Sequence, residues 1–454
     1  MLAATVLGSG MALLDGTVVN VALRRIGTDL DATMVQLQWV VTAYLLTLSA
    51  LILVGGVLGD RLGRRRVYEA GVVWFALASV LCGVAPTAEA LVGARLLQGV
   101  GAALLTPGSL ALIQASFVPA DRGRVIGRWA GLGGIAAAVG PALGGWLVDV
   151  ASWRWVFWIN VPVAAVVVWL TRRHVPESCD RQSGVPFDAA GAALACVGLG
   201  ALTWGLTASG PTGPPALVAG AVLLGGFVLW ERRTTHPMMP LHLFASPVFS
   251  AANAMTVLVY GALGAMTLFL VLQLQVGLGM TPLQAGLATL PMTAALLLLS
   301  GRAGAVAARI GPRLPMTVGP VLCGVGTLML APVATGSGYW TGVLPGLVVF
   351  SLGLTTLVAP LTTSVLAAAP DRFAGLASGI NNAVARTGSL LAVAALPALV
   401  GLSGTGYDDP TTLTDAYRAA MLVCTGLLVG GGVVSWLGLR SRSDVATPAG
   451  ARRR

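Results

Sequence analysis

Asp15 is the one carboxylate lying deep inside a membrane-length apolar run, in Met11-Ala12-Leu13-Leu14-Asp15-Gly16-Thr17-Val18-Val19-Asn20-Val21-Ala22-Leu23. On insertion scales an ionised acid at such depth costs about 2.5–3.5 kcal/mol. A carboxyl group whose hydration alternates takes up and releases a proton, which is the chemistry of a proton carrier. The structural alternative is an acid paired with an arginine or capping a broken helix. Intramembrane acids are functional by default, so the proton reading leads. Arg95, in Ala94-Arg95-Leu96-Leu97-Gln98-Gly99-Val100-Gly101-Ala102, cannot give up its charge. It needs a partner or a wet cavity, unless it snorkels to the interface. Gln98 falls three residues on, along the same helical face. Arg386 lies well inside a later run, beside Asn381 and Asn382. With Gln273 and Gln275 these supply much of the second half's polar content at depth. Arg386 reads equally as a partner for helix ends and carbonyls or as a cation lining a cavity. Asp15, Asn20, Gln98, Gln273, Asn381, Asn382 and Arg386 are the candidates for a substrate cavity. Met255, Met266, Phe269, Trp204 and Trp340 read as packing or interfacial belt, although such residues also suit an adaptable apolar site.

Other chemistries find no footing. The 27 basic residues are all arginine, so a Walker-type phosphate loop and Schiff-base lysine chemistry are excluded. The five cysteines contain no CxxC and the three histidines no HExxH, so no metal site is expected. Of 454 residues 56% are hydrophobic and 10% charged, more apolar surface than a soluble domain of this length can hide. The class is an all-α polytopic membrane protein. The net charge of +10 is then no nucleic-acid signal, because the arginines sit mostly in short connections between apolar runs.

Fourteen runs are long enough to span a bilayer, at about 2–23, 36–58, 67–85, 90–116, 125–148, 155–171, 188–208, 215–231, 248–276, 283–308, 314–335, 340–368, 375–401 and 417–438. The first has no cleavage site after a short apolar core, and it reads as a retained helix. The connections at 59–66, 172–187, 231–246 and 302–313 are arginine-rich, as is the tail from Arg440; Arg122, Arg124 and Arg372 mark two more on that side. The alternate connections are neutral or acidic. This alternation places both termini on the cytoplasmic side. A repeat is also present. Gly59-Asp60-Arg61-Leu62-Gly63-Arg64-Arg65 aligns with Ala307-Ala308-Arg309-Ile310-Gly311-Pro312-Arg313, and Asp121-Arg122 with Asp371-Arg372. Two related six-helix halves follow, with Asp60 replaced by Ala308 in the second copy. The expected organisation is a six-helix bundle over 1–174, a linker with two extra helices over 175–246, a second bundle over 247–439 and a tail over 440–454.

The connection built on Gly59, Asp60, Arg61, Gly63 and Arg64 resembles the signature loop between the second and third helices of the major facilitator superfamily. A positive-inside anchor alone explains the arginines but not the spacing of Gly, Asp and Arg. Leu14-Asp15-Gly16-Thr17 with Asn20 is similar to the first-helix motif of that superfamily's fourteen-helix drug:proton antiporters. Arg95-Leu96-Leu97-Gln98-Gly99 resembles the fourth-helix motif of its proton-coupled members. Gly140-Pro141-Ala142-Leu143-Gly144-Gly145 resembles the antiporter motif of the fifth helix; by physics alone it is a kinked, closely packed helix. Trp153-Arg154-Trp155-Val156-Phe157-Trp158-Ile159-Asn160-Val161-Pro162 is similar to a run of the same antiporters, and otherwise reads as an aromatic belt.

The resemblance implies two six-helix bundles plus two central helices, rocking around a central cavity. It implies a proton-coupled antiporter of the cell membrane exporting drugs or other amphipathic small molecules, with Asp15 and Arg95 coupling the proton. Partners would be the substrate, protons and the bilayer. No cofactor would be needed beyond the proton gradient, and the working unit would be a monomer. A dedicated exporter of one endogenous natural product is the rival within the class. A membrane enzyme would need a metal cluster or a nucleophile–base set at depth, and a primary pump would need an ATPase partner; neither accounts for the motifs.

Overall fold

Proline and capping chemistry set where the helices begin and break. The structure, a computed structural model, describes residues 1–117, 119–179, 188–208, 210–370 and 373–439, excepting the side chains at 114, 119–124, 126, 127, 130, 131, 134, 137, 138 and 374. Asp371-Arg372 of the repeat, Arg181, the tail and the side chains of Asp121, Arg122 and Arg124 lie outside what is described. The helices are α1 (Leu2–Leu30), α2 (Met34–Leu62), α3 (Arg64–Val84), α4 (Ala88–Ser116), α5 (Pro119–Val150), α6 (Trp155–Trp158), α7 (Asn160–His174), α8 (Ala189–Thr207) and α9 (Gly213–Arg233). The second half follows with α10 (Pro247–Leu272), α11 (Pro282–Ala288), α12 (Leu290–Ile310), α13 (Arg313–Leu330), α14 (Leu344–Ala367), α15 (Ala374–Leu399) and α16 (Pro410–Gly438). Among the described residues 13 helical spans are long and apolar enough to cross a membrane, and α5 carries a further apolar stretch, Val139–Val150.

Two spans expected to be continuous are interrupted. α6 stops at Trp158 because Pro162 has no N–H to offer its carbonyl, and α11 stops at Ala288 because Pro291 does the same to Leu287. The last span starts at Pro410, seven residues before the expected 417, because Asp409 caps it. The Asp409 side chain accepts from Thr412 N at 2.8 Å, and Pro410 takes the first helical position. α1 runs past its expected end at 23, helped by an Arg25–Asp29 pair at 3.2 Å along its exposed last turns. It closes on Asp31 in the left-handed region (φ 48°).

Helices α1–α7 pack on one another, as do α10–α16, while α8 and α9 form a hairpin. Along one seam between the groups α2 lies against α15, and α8 leans on both. There Trp39 donates to Thr207 Oγ1 at 3.1 Å, and its ring lies 6.0 Å from that of Trp204, tilted by 49°. Along the other seam α5 meets α11 and α12. The repeat extends to the backbone: Gly63 (φ 108°) and Gly311 (φ 87°) hold corresponding positive-φ positions in the two connecting loops.

The halves are bonded together at the arginine-poor end. Met34 N donates to Gly404 O at 2.7 Å, and Tyr407 Oη to Ala32 O at 2.7 Å. Gln38 reaches the carbonyls of Val393 and Ala394 at 3.0 and 3.1 Å. Gln275 donates to Val21 O at 2.8 Å, and Arg24 to Gln275 O at 3.0 Å. Leu283 N donates to Asp149 Oδ2 at 3.0 Å.

Candidate functional site

Five helices of the first half converge on Asp15, which is fully buried on α1. Arg95 Nη1 on α4 donates to its Oδ2 at 2.5 Å. Gln98 Nε2, one turn along α4, donates to Oδ1 at 2.8 Å and to Ser79 Oγ of α3 at 2.8 Å. Asn160 Nδ2, at the start of α7, lies 3.3 Å from both Asp15 Oδ1 and Ser79 Oγ. Arg95 spends its other donors on Gln98 Oε1 at 2.6 Å and Val40 O of α2 at 3.0 Å, and its guanidinium lies 4.4 Å from the ring centre of Tyr44. These protein partners of the Asp15 carboxylate are N–H donors, the partner set of an acid without its proton. Close helix approach makes the cluster possible: a side chain at Gly99 would run into Thr47 and the Tyr44 carbonyl of α2.

Beside this cluster, between the two halves, lies a cavity of about 250 Å³. Asn20, Tyr44 and Arg95 face it from the first half, Tyr260, Met266, Thr293 and Arg386 from the second. Of the candidates from sequence, Asn20 and Arg386 therefore line the cavity, with Arg95. Gln98 is fully buried in the Asp15 cluster instead. Gln273 is also fully buried and away from the cavity. It sits in a wide helical turn, 273–277, where it donates to Val333 O at 3.2 Å and Thr414 Oγ1 at 2.9 Å, tying α10 to α16. Asn381 cross-links α15 to α10 through Asn253 Oδ1 at 3.1 Å and Thr256 Oγ1 at 2.9 Å. Asn382 is exposed and folds back on Ser378 O at 3.1 Å. None of these three is a lining residue. Met266 lines the cavity, whereas Met255 and Phe269 are buried in the core.

The glycines of the Gly140–Gly145 motif face two ways. Gly140 and Gly144 meet Thr17 and Val18 of α1. Gly145 meets the Pro282 and Leu283 backbone across the seam, and Gly286 of α11 meets the Pro141 carbonyl. The motif thus lets α5 seat the Thr17 and Val18 side chains of α1 and touch α11 backbone to backbone. In the 59–66 loop Asp60 is held by Arg64 at 2.8 Å. Glu177 accepts from Arg65 N at 3.1 Å, over the first turn of α3, where a carboxylate complements the helix dipole. Arg61 is exposed at the end of α2.

Sequence reasoning missed Ser79, Glu177 and the place of Asn160. The aromatic run containing Asn160 is only partly a belt. Trp153 is fully buried and donates to Asp29 at 3.1 Å, while Trp155 is exposed. A polar residue two before a helix-breaking proline was the available signal for Asn160.

Among the described residues, thirteen membrane-length spans and the apolar stretch of α5, arranged as two groups and a hairpin around one central cavity, define a multi-pass membrane protein. The chain belongs to the Major Facilitator Superfamily, which it matches over residues 5–393. It is 38% identical over 403 residues to the multidrug resistance protein Stp of Mycobacterium tuberculosis (strain CDC 1551 / Oshkosh), covering 87% of this chain and 74% of that protein. It is 33% identical over 407 residues to the tetracenomycin C resistance and export protein of Streptomyces glaucescens, covering 88% of this chain and 75% of that one. Among solved structures a D-xylose-proton symporter superposes with a TM-score of 0.69 at 14% identity, over 96% of this chain and 97% of that one; the likeness is one of fold.

Proposed function

We propose that this chain is a secondary antiporter that uses the inward proton gradient to export drugs or other amphipathic small molecules across the cell membrane. It acts as a monomer without a cofactor, with both termini in the cytoplasm and no reaction at a covalent bond of the substrate. The observation that carries this reading is the buried Asp15–Arg95 pair beside the central cavity. With the arginine-poor end outside, the bonded end faces the exterior and the cavity serves the cytoplasm. Substrate binds there while Asp15 is ionised and paired. After the halves rock, a proton from outside reaches Asp15 and releases Arg95 toward the cavity it already lines. Return to the present arrangement re-forms the pair and sends the proton inward. The named relatives support drug resistance and export as the cargo class.

A dedicated exporter of one natural product is the second reading, favoured by the relative named for tetracenomycin C export. A resistance panel in an efflux-deficient host separates the two by breadth. Asp15→Asn, reconstituted in everted vesicles with an imposed proton gradient, tests the coupling. Uphill accumulation of substrate should be lost while protein levels hold. Accumulation at the wild-type rate would make Asp15 structural.

A further inference from the structure

Two arginines face the central cavity, and they differ in what they hold. Arg95 is neutralised by Asp15. Arg386, on α15, makes no ion pair and no hydrogen bond with the described residues, although it is only partly exposed. No carboxylate is among the described residues lining the cavity. Apart from Arg95 and the Asn20 amide, the described wall of the cavity is apolar or hydroxylic, with Leu263, Met266 and Met292 on one hand and Tyr44, Tyr260 and Ser389 on the other. The cavity therefore carries one uncompensated positive charge in an apolar setting. A lone charge loses solvation when such a cavity closes, and the loss is offset when the occupant brings the opposite charge. A guanidinium suits a carboxylate, sulfonate or phenolate in particular, because its planar fork donates two parallel hydrogen bonds. Methionine walls adapt to varied apolar bodies. A cationic occupant would meet like charge at Arg386, and the Asp15 carboxylate already accepts from Arg95, Gln98 and Asn160.

We propose that the central cavity selects amphipathic organic anions, with Arg386 as the residue that binds the acidic group. This rests on the transport reading above and names its substrate class.

The test compares three probes that share one ring system: naphthaleneacetic acid, its methyl ester and naphthylmethylamine. Binding of each is measured by equilibrium dialysis on the full chain in lipid nanodiscs. In the wild type the acid should bind about tenfold or more tightly than the ester, and the amine weakest of all. Arg386→Gln should weaken acid binding far more than ester binding, and so erase the difference between the two. Arg386→Lys should keep most of the acid preference, which guards against a folding defect in the glutamine variant. An acid that binds no better than the ester, or an amine that binds best, overturns the proposal. So does Arg386→Gln weakening acid and ester alike. The two readings fail separately. If the amine or ester is driven uphill by protons without acid preference, the anion site falls and the antiporter stands. If acid preference is found but nothing moves with the proton gradient, the antiporter falls and the anion site stands.

Discussion

A guanidinium stays charged at any physiological pH, so Asp15 is the variable member of the buried pair. Removing Arg95 strands a buried acid, a change that costs about 3–5 kcal/mol when a buried pair is broken from one side. Arg95→Leu should therefore lower thermal stability in detergent, read by tryptophan fluorescence. The double variant Asp15→Asn/Arg95→Leu should recover much of the loss yet remain unable to accumulate substrate uphill. A double variant no more stable than Arg95→Leu would mean that the loss comes from the contacts to Val40 and Tyr44, not from the orphaned charge. Asp15, Arg95 and Gln98 were legible in the sequence because charge and amide groups are rare in apolar runs. Their mutual contact was not, since nothing in a linear spacing of 80 residues gives a distance. Ser79 was hidden for another reason: a lone hydroxyl in a membrane helix usually bonds its own backbone, as Ser79 also does with Phe75 O at 2.9 Å.

At the level of helices, apolar length located the spans, but the interruptions after Trp158 and Ala288, which follow from Pro162 and Pro291, needed the structure. The same residues that read as a kink, Gly140 to Gly145, turn out to lie at a seam whose two sides meet backbone to backbone. A methyl group at Gly286 would overlap the Pro141 carbonyl. Gly286→Ala should then weaken the bonded arginine-poor end and favour the opposite state. Asp60 gives a prediction of opposite sign. It is held by Arg64 here; in the opposite state it is expected to meet the N-terminus of α15 near Phe373 to Gly375. Such a contact is worth about 0.3–1 kcal/mol, so Asp60→Asn should shift the equilibrium up to about fivefold toward the present state and slow turnover. One measurement reads both: disulfide formation between Met34→Cys and Gly404→Cys in a background without the native cysteines. Those backbones are hydrogen-bonded in this state. Cross-linking should fall in Gly286→Ala and rise in Asp60→Asn; unchanged yields would sink both arguments.

For the molecule as a whole, loop charge predicts an orientation that reporter fusions can read. Fusions after Gly210 and Gly338 should report outside, and those after Arg181 and Arg313 inside; Gly210 reporting inside would remove the extra helix pair from the membrane, and opposite sides for Arg181 and Arg313 would leave an odd number of crossings between them and sink the fourteen-span plan. The two-half plan was legible because one loop repeats after 248 residues, as the positions Gly59 and Ala307 show. Where the extra hairpin docks was not, because α8 is apolar on every face and its sequence names no partner. It leans on α2 of one half and α15 of the other. That position makes the two seams unequal. The hairpin sits like the spine of a book over the line where α2 meets α15, and the fore-edge is the line where α5 meets α11 and α12. A molecule dissolved in the lipid leaflet and drifting sideways finds the spine closed by a pair of helices. The fore-edge has no such cover: there α5 and α11 themselves face the lipid, so the molecule is two helix layers thick along one seam and one layer thick along the other.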